Sequence, residues 1–301
     1  MTAALIIAAG RTARKDAMEP GREVGTITAV QRTAMVFRQA GIERIVVVCG
    51  DGDRTEKLVS HMNLVFLRVP GGAEMLDGVK LGLAYLRDKC TAALITHVDV
   101  PLFSIGTVHA LMAAGGGVCV PSYHGHGGHP ILLRAEHFPA ILSYTGEGGL
   151  VGAVRAAGLE RRMVDVTDQG VLTNTHGIAP CTRLVEDHDL SRLRPAYQFQ
   201  LMRERIFYNA ETHHLLQLTE ESGSLLDACR HMGISYTKGR ALIANLEQQL
   251  GCPVLESQQG GKTGGSSAIT GEARRLMHSY EAFCAEAVET LDALFQKHFT
   301  P

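Results

Sequence analysis

The first half of the chain alternates short apolar runs with amphipathic stretches. Four runs have the length and apolar content of buried strands, and three stretches between them have helical spacing. The strands are predicted at Ala3–Ala8, Arg44–Cys49, Leu64–Val69 and Ala92–His97, and the helices at Ile27–Gln39, Met75–Arg87 and Ile105–Ala113. Apolar strands separated by helices indicate an α/β fold, with a mostly parallel sheet that has helices on both faces.

The second half of the chain has a different pattern, because helical spacing dominates it. Helices are predicted at 211–221, 225–232, 236–250 and 270–294, with a glycine-rich hairpin at 254–269. A helix, a sharp turn, a second helix and a hairpin in this order are typical of a winged helix-turn-helix. The charged segment 187–205, which carries Pro195, is the predicted linker between domains at 1–186 and 206–301.

Composition narrows the class of protein. The chain has 301 residues, a formal net charge of -2 and 7 cysteines, with no CxxC pair. A charge near zero argues against a protein that coats nucleic acid nonspecifically, and the scattered cysteines argue against a disulfide framework or a zinc site. No apolar run reaches about 18 residues, and the first residues lack the basic segment of a signal peptide. We therefore expect a cytoplasmic protein with no membrane partner.

The first predicted strand leads directly into a glycine and a basic segment. Ala8, Ala9 and Gly10 are followed closely by Arg14 and Lys15. A glycine after a buried strand lets the backbone approach a phosphate, and nearby cations can neutralise its charge. These five residues are therefore candidates for nucleotide binding. The alternative is a tight turn with solvated basic residues, since the segment has neither a Walker loop nor a GxGxxG fingerprint.

A carboxylate follows the fourth predicted strand, where Asp99 stands between that strand and Pro101. Ligands of parallel sheets bind at the carboxyl ends of the strands, so the segments after Ala8 and His97 are expected to line one site. A carboxylate at that edge can hold Mg²⁺ against triphosphate oxygens. Asp99 is therefore a candidate metal ligand.

Four segments occur in an order that resembles the MobA-like nucleotidyltransferases. They are LIIAAGRTAR, VDVP, PSYHGHGGHPILL and DVTDQGVL, and together they span roughly residues 1–184. The resemblance implies a Rossmann-like domain that attaches a GMP or CMP moiety, taken from GTP or CTP, to the molybdenum-pterin cofactor.

The same resemblance implies roles for individual residues. Gly10 and Arg14 would lie under the nucleotide phosphates, and Asp99 would bind Mg²⁺. Arg14 and Asp99 would then be the catalytic residues. His129 and Pro130 would shape the pterin side of the cleft.

Some positions depart from the pattern of that family. Glu19 stands where the family generally has a phosphate-binding lysine, and Asn174 and His176 stand in its aspartate-rich turn. An amide is a weaker Mg²⁺ ligand than a carboxylate, so Asn174 is only a secondary candidate, and histidine suits this hard cation poorly. The altered loop favours a domain that senses a nucleotide or the cofactor, whereas Asp99 and Arg14 favour an active enzyme.

Three histidines, His124, His126 and His129, lie close together in a glycine-rich segment. One interpretation is a metal site, but the segment has no carboxylate or thiol, and its glycines work against a preorganised site. A polar loop at the mouth of the cleft is the favoured interpretation, and zinc is not assigned.

The helix predicted at 236–250 begins with polar and basic residues that are candidates for DNA binding: Ser235, Tyr236, Thr237, Lys238 and Arg240. Recognition helices present such side chains to base edges and phosphates from this end. The inner face of the helix is expected to carry Ala241, Leu242, Leu246 and Leu250.

The glycine-rich tip of the hairpin carries Lys262, which suits a wing that contacts the DNA backbone or minor groove. The turn GISYTKG, the tip GGKTGG and the long last helix together resemble the DNA-binding domain of the molybdate-responsive regulator ModE, over about 207–287. This resemblance implies double-stranded DNA with a near-palindromic operator as a partner, and a homodimer formed through the C-terminal helix.

Two functions follow from these resemblances. The leading hypothesis is a transcriptional regulator of molybdenum-cofactor metabolism, in which the first domain binds a nucleotide or the cofactor and controls DNA binding. The rival is an active, Mg²⁺-dependent NTP:molybdopterin nucleotidyltransferase that carries its own regulatory domain. The plainer alternatives are a first domain that binds nothing and a second domain that only dimerises the protein.

Overall fold

The computed structural model describes residues 1–10, 19–50, 55–175, 183–188, 193–258 and 266–299. The predictions made for Arg14, Lys15, His176 and Lys262 lie outside these residues. The chain divides into two compact units, an N-terminal unit of 1–59 and 64–192 and a C-terminal unit of 60–63 and 193–301.

The strands and helices of the N-terminal unit follow the alternation expected from the sequence, with small shifts at their ends. The strands are β1 (Thr2–Ile7), β2 (Glu23–Val24), β3 (Ile27–Thr28), β4 (Ile45–Gly50), β5 (Val65–Val69), β6 (Ala92–His97), β7 (Val118–Tyr123), β8 (His126–Gly127), β9 (Ile131–Arg134) and β10 (Arg161–Asp165). The helices are α1 (Ala29–Gln39), α2 (Thr55–Val59), α3 (Met75–Leu86), α4 (Ile105–Ala113), α5 (Phe138–Ser143), α6 (Gly149–Ala156) and α7 (Arg183–Glu186).

One sheet, with the strand order β10-β7-β9-β6-β1-β4-β5, forms the centre of this unit, and β8 pairs with β7. Strand β1 is parallel to β4 and β6, β4 is parallel to β5, and β7 is parallel to β10. Strand β9 is antiparallel to both of its neighbours, β6 and β7. The sheet is therefore mixed but mostly parallel, and the fold is Rossmann-like. The amino end of β9 lies at the same edge as the carboxyl ends of β1 and β6.

Helices cover both faces of the sheet. The chain moves from β1 through α1 to β4 and on to β5, and then returns through α3 to β6 on the other side of β1. Right-handed crossovers place α1 and α3 on opposite faces when the direction of movement reverses in this way. Helix α4 contacts α1, whereas α5 and α6 contact α3. The reversal makes a topological switch point between β1 and β6, which is where ligands bind in open α/β sheets.

The C-terminal unit consists of a short β-pair, three helices, a hairpin and a long helix. The elements are β11 (Gln200–Met202), β12 (Ile206–Asn209), α8 (Ala210–Ser222), α9 (Leu225–His231), α10 (Tyr236–Leu250), β13 (Leu255–Gln258), β14 (Ser266–Ile269) and α11 (Gly271–Phe299). Strand β11 is antiparallel to β12, and β13 to β14. The segment predicted as a linker therefore contains a strand, which its charged composition concealed.

The core of this unit centres on Tyr208, which is fully buried. Its hydroxyl lies 2.8 Å from Nδ1 of His213, and Nε2 of His213 lies 3.1 Å from Oε1 of Glu281. These contacts join β12, α8 and α11 through one buried imidazole. Burial raises the pKa of Tyr208 above its usual range, so the hydroxyl keeps its proton.

The buried face of α10 differs from the predicted one. Its buried residues are Gly239, Ile243, Leu246 and Gln249, whereas Ala241 is exposed. A Cβ atom at Gly239 would collide with Sγ of Cys229, so a glycine is needed where α9 and α10 cross. The prediction of Ala241 as a core residue was therefore wrong, because the close crossing at Gly239 sets the rotation of the helix.

Candidate active site at the switch point

The segments after β1 and β6 leave the sheet side by side. The backbone N–H of Val98 donates to the carbonyl oxygen of Ile7 at 3.0 Å, and that of Ala8 donates to Val48 at 2.8 Å. These hydrogen bonds extend the strand pairing to the edge of the sheet. They place Ala8–Gly10 and Asp99 at neighbouring strand ends, as the sequence predicts for a shared site.

Gly10 lies against the amino end of α3. Its φ angle is +111°, and a Cβ atom there would lie 2.8 Å from Cα of Met75. A side chain at Gly10 is therefore excluded by both backbone strain and contact. The amino end of a helix carries a partial positive charge and attracts anions. Sequence reasoning missed α3 as a wall of this site, because Glu74 at its N-cap and Asp77 in its first turn are acidic and give no phosphate-binding pattern.

Asp99 has a buried oxygen atom with no hydrogen-bond partner among the described residues. The side chain is 14% exposed, and Oδ1 is the buried atom. The backbone carbonyl of Asp99 accepts a hydrogen bond from the N–H of Thr175 at 2.7 Å, which brings the Asn174 segment to the same strand end. A buried carboxylate oxygen without a donor is costly unless a cation or proton satisfies it. The arrangement therefore fits a divalent cation.

The described residues contain no group of three or more His, Cys, Asp or Glu side chains that could hold a metal ion. A cation at Asp99 would thus take most of its ligands from water and from substrate phosphates, which is usual for Mg²⁺ at nucleotide sites. Of the three histidines at 124–129, for which a polar loop was favoured over a metal site, His124 and His126 are exposed, whereas Nδ1 of His129 is buried.

His97 and His129 pack against each other beside Asp99, with ring centroids 4.5 Å apart and planes tilted by 42°. Burial lowers the pKa of His97 to about 4. Burial, and then the neighbouring His97, lower the pKa of His129 to about 3. Both imidazoles are therefore neutral at neutral pH. Nδ1 of His97 lies 3.9 Å from Oδ1 of Asp99, which is too long for a hydrogen bond.

The turn that carries His129 is fixed by a second loop. The peptide bond between His129 and Pro130 is cis. Gly128 packs so closely on the backbone of Val171 that a Cβ atom has no room, and the N–H of His129 donates to the carbonyl oxygen of Val171 at 2.9 Å. These two contacts with Val171 hold the turn of His129 in place, with its ring against that of His97.

Glu19, which stands where the family generally has a lysine, has a basic neighbour. Its Oε2 is 3.7 Å from Nη1 of Arg22, and both side chains are exposed. An exposed ion pair of this length contributes little to stability. It nevertheless offsets the negative charge that the sequence placed next to the nucleotide loop.

The MobA-like NTP transferase domain matches residues 4–164 of this chain, which is more than half of its length. The chain belongs to the MobA-like NTP transferase family. The N-terminal unit is thus a nucleotidyltransferase-family domain, and the match ends before residue 193, where the main segment of the C-terminal unit begins.

Solved structures with a similar fold include further nucleotidyltransferases. The chain is 18% identical to a nucleotidyl transferase from Methanothermobacter thermautotroptrophicus, over 58% of this chain and 91% of that chain, with a TM-score of 0.49. It is 20% identical to Rv0371C from Mycobacterium tuberculosis H37Rv in complex with manganese, over 55% and 88%, with a TM-score of 0.47. It is 16% identical to a 4-diphosphocytidyl-2C-methyl-D-erythritol synthase, over 57% and 91%, with a TM-score of 0.47. No curated protein matches the chain.

A cavity of about 380 Å³ opens beside His129 in this MobA-like domain. Its walls are mainly apolar, with Arg161 and His129 as the polar exceptions; they include Val118, Val120, Ile131, Leu150, Val151, Val154 and Met163. Pockets of this size with few polar groups are typical of small-molecule sites. The cavity lies between the β7-β9-β10 side of the sheet and α6.

Outside the MobA-like domain, the first turn of α10 presents the side chains predicted to bind DNA. Ser235 caps the helix, because its Oγ accepts the N–H of Lys238 at 3.2 Å, and Tyr236 is 49% exposed. Thr237 and Arg240 are exposed as well. Lys238 is exposed but paired, with Nζ 2.5 Å from Oε1 of Glu211. No described helix of either unit is long and apolar enough to cross a membrane.

Proposed function

We propose that the N-terminal unit catalyses nucleotidyl transfer from an NTP to an acceptor oxygen. The observation that supports this most directly is the buried, unpartnered Oδ1 of Asp99 at the switch point, beside the segment of Gly10. Such an oxygen fits a cation that also contacts triphosphate oxygens. The family membership of the domain agrees with this chemistry.

Some residues would bind the nucleotide, and others would neutralise its charge or hold the cation. The backbone of Ala8, Ala9 and Gly10 would approach the phosphates, and Arg14 and Lys15 would neutralise them. Asp99 would hold the cation, which supplies positive charge at the reacting phosphate when it is bound. An acceptor oxygen then bonds to the α-phosphorus, the bond from this phosphorus to the β-phosphate oxygen breaks, and pyrophosphate leaves.

The acceptor in this proposal is a molybdopterin-type cofactor, and the nucleotide is CTP or GTP. The cavity next to His129 and Pro130 supports an acceptor with an apolar or planar portion, because its walls are largely apolar. Arg161 at the cavity supplies a cation for an anionic group of that acceptor.

The test combines binding and turnover. The full chain is mixed with CTP, GTP or ATP and a divalent cation, and the melting temperature and pyrophosphate release with molybdopterin are measured. A metal-dependent rise in melting temperature with one nucleotide, together with release, is expected. Asp99→Asn should abolish both effects. Asp165→Asn, which changes an exposed carboxylate on β10, should leave both intact.

A second proposed function is DNA binding by the C-terminal unit, as a ModE-like winged helix. It is supported by the exposed first turn of α10, which follows a sharp turn after α9 and precedes the β13–β14 hairpin. Arg240 and Thr237 would contact bases, whereas Lys238 must exchange Glu211 for a phosphate. In this proposal the protein is a homodimer through α11, and nucleotide or cofactor binding regulates the DNA-binding unit.

Selection from a random pool of duplex DNA tests this second function. Enrichment of a near-palindromic sequence is expected with the unmodified chain. Arg240→Ala should weaken binding of the enriched sequence by about tenfold or more, whereas Arg275→Ala on α11 should have little effect. Without any enrichment, the regulatory function fails while the enzymatic one stands.

A further inference from the structure

A ring nitrogen of His97 lies near the buried oxygen of Asp99 that has no hydrogen-bond partner among the described residues. Nδ1 of His97 and Oδ1 of Asp99 are 3.9 Å apart. This distance excludes a hydrogen bond between the two atoms. A buried carboxylate oxygen without a donor is costly unless a cation satisfies it, and the imidazole nitrogen beside it can serve as a second ligand of that cation.

The distance suits a single bridging ion. Divalent transition metals bind imidazole nitrogen and carboxylate oxygen at about 2.1 Å each. Two such bonds span up to about 4.2 Å, so one ion can contact both atoms with only small movements of the side chains. The remaining coordination positions would be open to water and phosphate oxygens.

His129 supports the orientation of His97. The ring centroids lie 4.5 Å apart with the planes tilted by 42°, and the contacts of Gly128 and the His129 N–H with Val171 hold the turn of His129 in place. Its own Nδ1 is buried and has no partner among the described residues. The site therefore presents one imidazole nitrogen, that of His97, at a position where a carboxylate alone would favour Mg²⁺.

We infer that His97 is a metal ligand together with Asp99, and that this mixed nitrogen and oxygen pair selects a divalent first-row transition metal ion over Mg²⁺. His129 acts as a positioning residue, because it touches His97 and not the shared ion. This inference rests on the proposed metal-dependent function of the same site, and it names the class of metal that the site takes.

The first measurement uses Mn²⁺ and the full chain without nucleotide. Pulsed electron paramagnetic resonance of bound Mn²⁺ should show modulation from an imidazole nitrogen. His97→Ala should remove this modulation. The matched variant His126→Ala, which alters an exposed histidine of β8, should retain it. Melting curves in metal-free buffer establish that each variant is folded, and His97→Gln is a second variant if His97→Ala is not.

The second measurement compares affinities by calorimetry. The unmodified chain should bind Mn²⁺ about tenfold more tightly than Mg²⁺, and His97→Ala should lose most of that preference. Asp99→Asn should weaken both ions. His129→Ala should leave nitrogen modulation present but reduce Mn²⁺ affinity, as expected of a residue that only orients the ligand.

Several outcomes overturn the inference. They are absence of Mn²⁺ binding to the unmodified chain, absence of nitrogen modulation, or modulation that survives in His97→Ala. The proposed function is judged separately by pyrophosphate release. A chain that turns over with Mg²⁺ and shows no nitrogen ligand retains the function and loses the inference. A chain that binds the ion through a nitrogen ligand but shows no turnover retains the inference and loses the proposed function.

Discussion

Asp168 accepts a hydrogen bond from the backbone N–H of Ser104 at 2.6 Å, at the amino end of α4. The same oxygen accepts from Oγ1 of Thr107 at 2.6 Å, and the other oxygen accepts from the N–H of Gly170 at 2.8 Å. One carboxylate thus joins the loop that supports His129 to the helix that follows Asp99. Both walls of the candidate site depend on this connection.

Replacing this carboxylate should destabilise the N-terminal unit. Asp168→Ala removes three hydrogen bonds to a charged group, and we expect a loss of roughly 2–4 kcal/mol in the free energy of unfolding. Urea denaturation followed by circular dichroism measures this loss. Asp165→Ala, at an exposed position three residues earlier, is the control and should change the free energy by less than about 0.5 kcal/mol. Equal losses in the two variants would contradict the role given to Asp168.

A comparison of Gly10→Ala with Gly41→Ala separates the effect of backbone strain from the effect of close contact. Gly10 has both a positive φ and a neighbouring backbone, whereas Gly41 has a positive φ of +82° and no atom within 4 Å of the place that a Cβ would take. Gly41→Ala should therefore cost about 1–2 kcal/mol of stability from strain alone. Gly10→Ala should cost more and should also weaken nucleotide binding, as measured by thermal unfolding with and without nucleotide. A smaller cost at Gly10 would show that the loop moves away from α3 freely.

Gly239→Ala tests the crossing of α9 and α10. Alanine normally stabilises a helix interior by about 1 kcal/mol relative to glycine, but the added Cβ atom here meets Sγ of Cys229. We expect a net loss of roughly 1–3 kcal/mol from overpacking. The double variant Gly239→Ala with Cys229→Ala removes the colliding sulfur and should recover part of that loss relative to the sum of the single variants. Strict additivity in thermal denaturation would argue against the contact.

The imidazole of His213 should contribute strongly to the stability of the C-terminal unit. His213→Ala leaves the buried hydroxyl of Tyr208 without its partner and should cost roughly 2–4 kcal/mol. His278 offers a matched control, since it also lies near Glu281, at 3.5 Å, but is 80% exposed. His278→Ala should cost less than about 0.5 kcal/mol. Chemical denaturation of both variants measures the difference, and a large loss in His278→Ala alone would reverse the assignment.

Acid should destabilise the N-terminal unit in metal-free buffer. The pKa values of His97 and His129 fall from 6.5 to about 4 and about 3, chiefly because of burial. Below pH 6.5 the unfolded chain takes up protons that the folded chain refuses, so the free energy of unfolding falls as the pH drops from 6.5 towards 4. The double variant His97→Gln with His129→Gln should flatten this dependence in urea titrations. An unchanged slope would place the responsible groups elsewhere.

The central strands were predictable because they are apolar on both faces. Residues Ala3–Ile7 are fully buried, and such runs stand out from any amphipathic pattern. The antiparallel β9 was not predicted, since its direction depends on a hairpin whose pairing does not appear in local hydrophobicity. The buried face of α10 was predicted incorrectly, because the close contact of Gly239 with Cys229 sets the rotation of the helix and outweighs the local apolar pattern.

The sequence predicted at which edge of the sheet the candidate site lies, but not all of the residues that form it. Gly10 and Asp99 were predicted as site residues because each follows a strand, and the carboxyl ends of parallel strands meet at one edge of a sheet. His97 had no visible partner in the sequence, because His129 reaches it from the turn between β8 and β9. The amino end of α3 had no phosphate-binding signal, since Glu74 and Asp77 there are acidic and a helix end attracts anions through backbone groups that every sequence shares.

Strand β9 enters the sheet against the direction of its neighbours, and a hairpin of residues 123–128 precedes it. That hairpin borders the cavity, while β1 and β6 keep Gly10 and Asp99 in register without it. Under the proposed function, insertions or deletions in this hairpin would therefore change which acceptor molecule the cavity takes. The strand ends proposed to bind the nucleotide would be inherited unchanged through such changes.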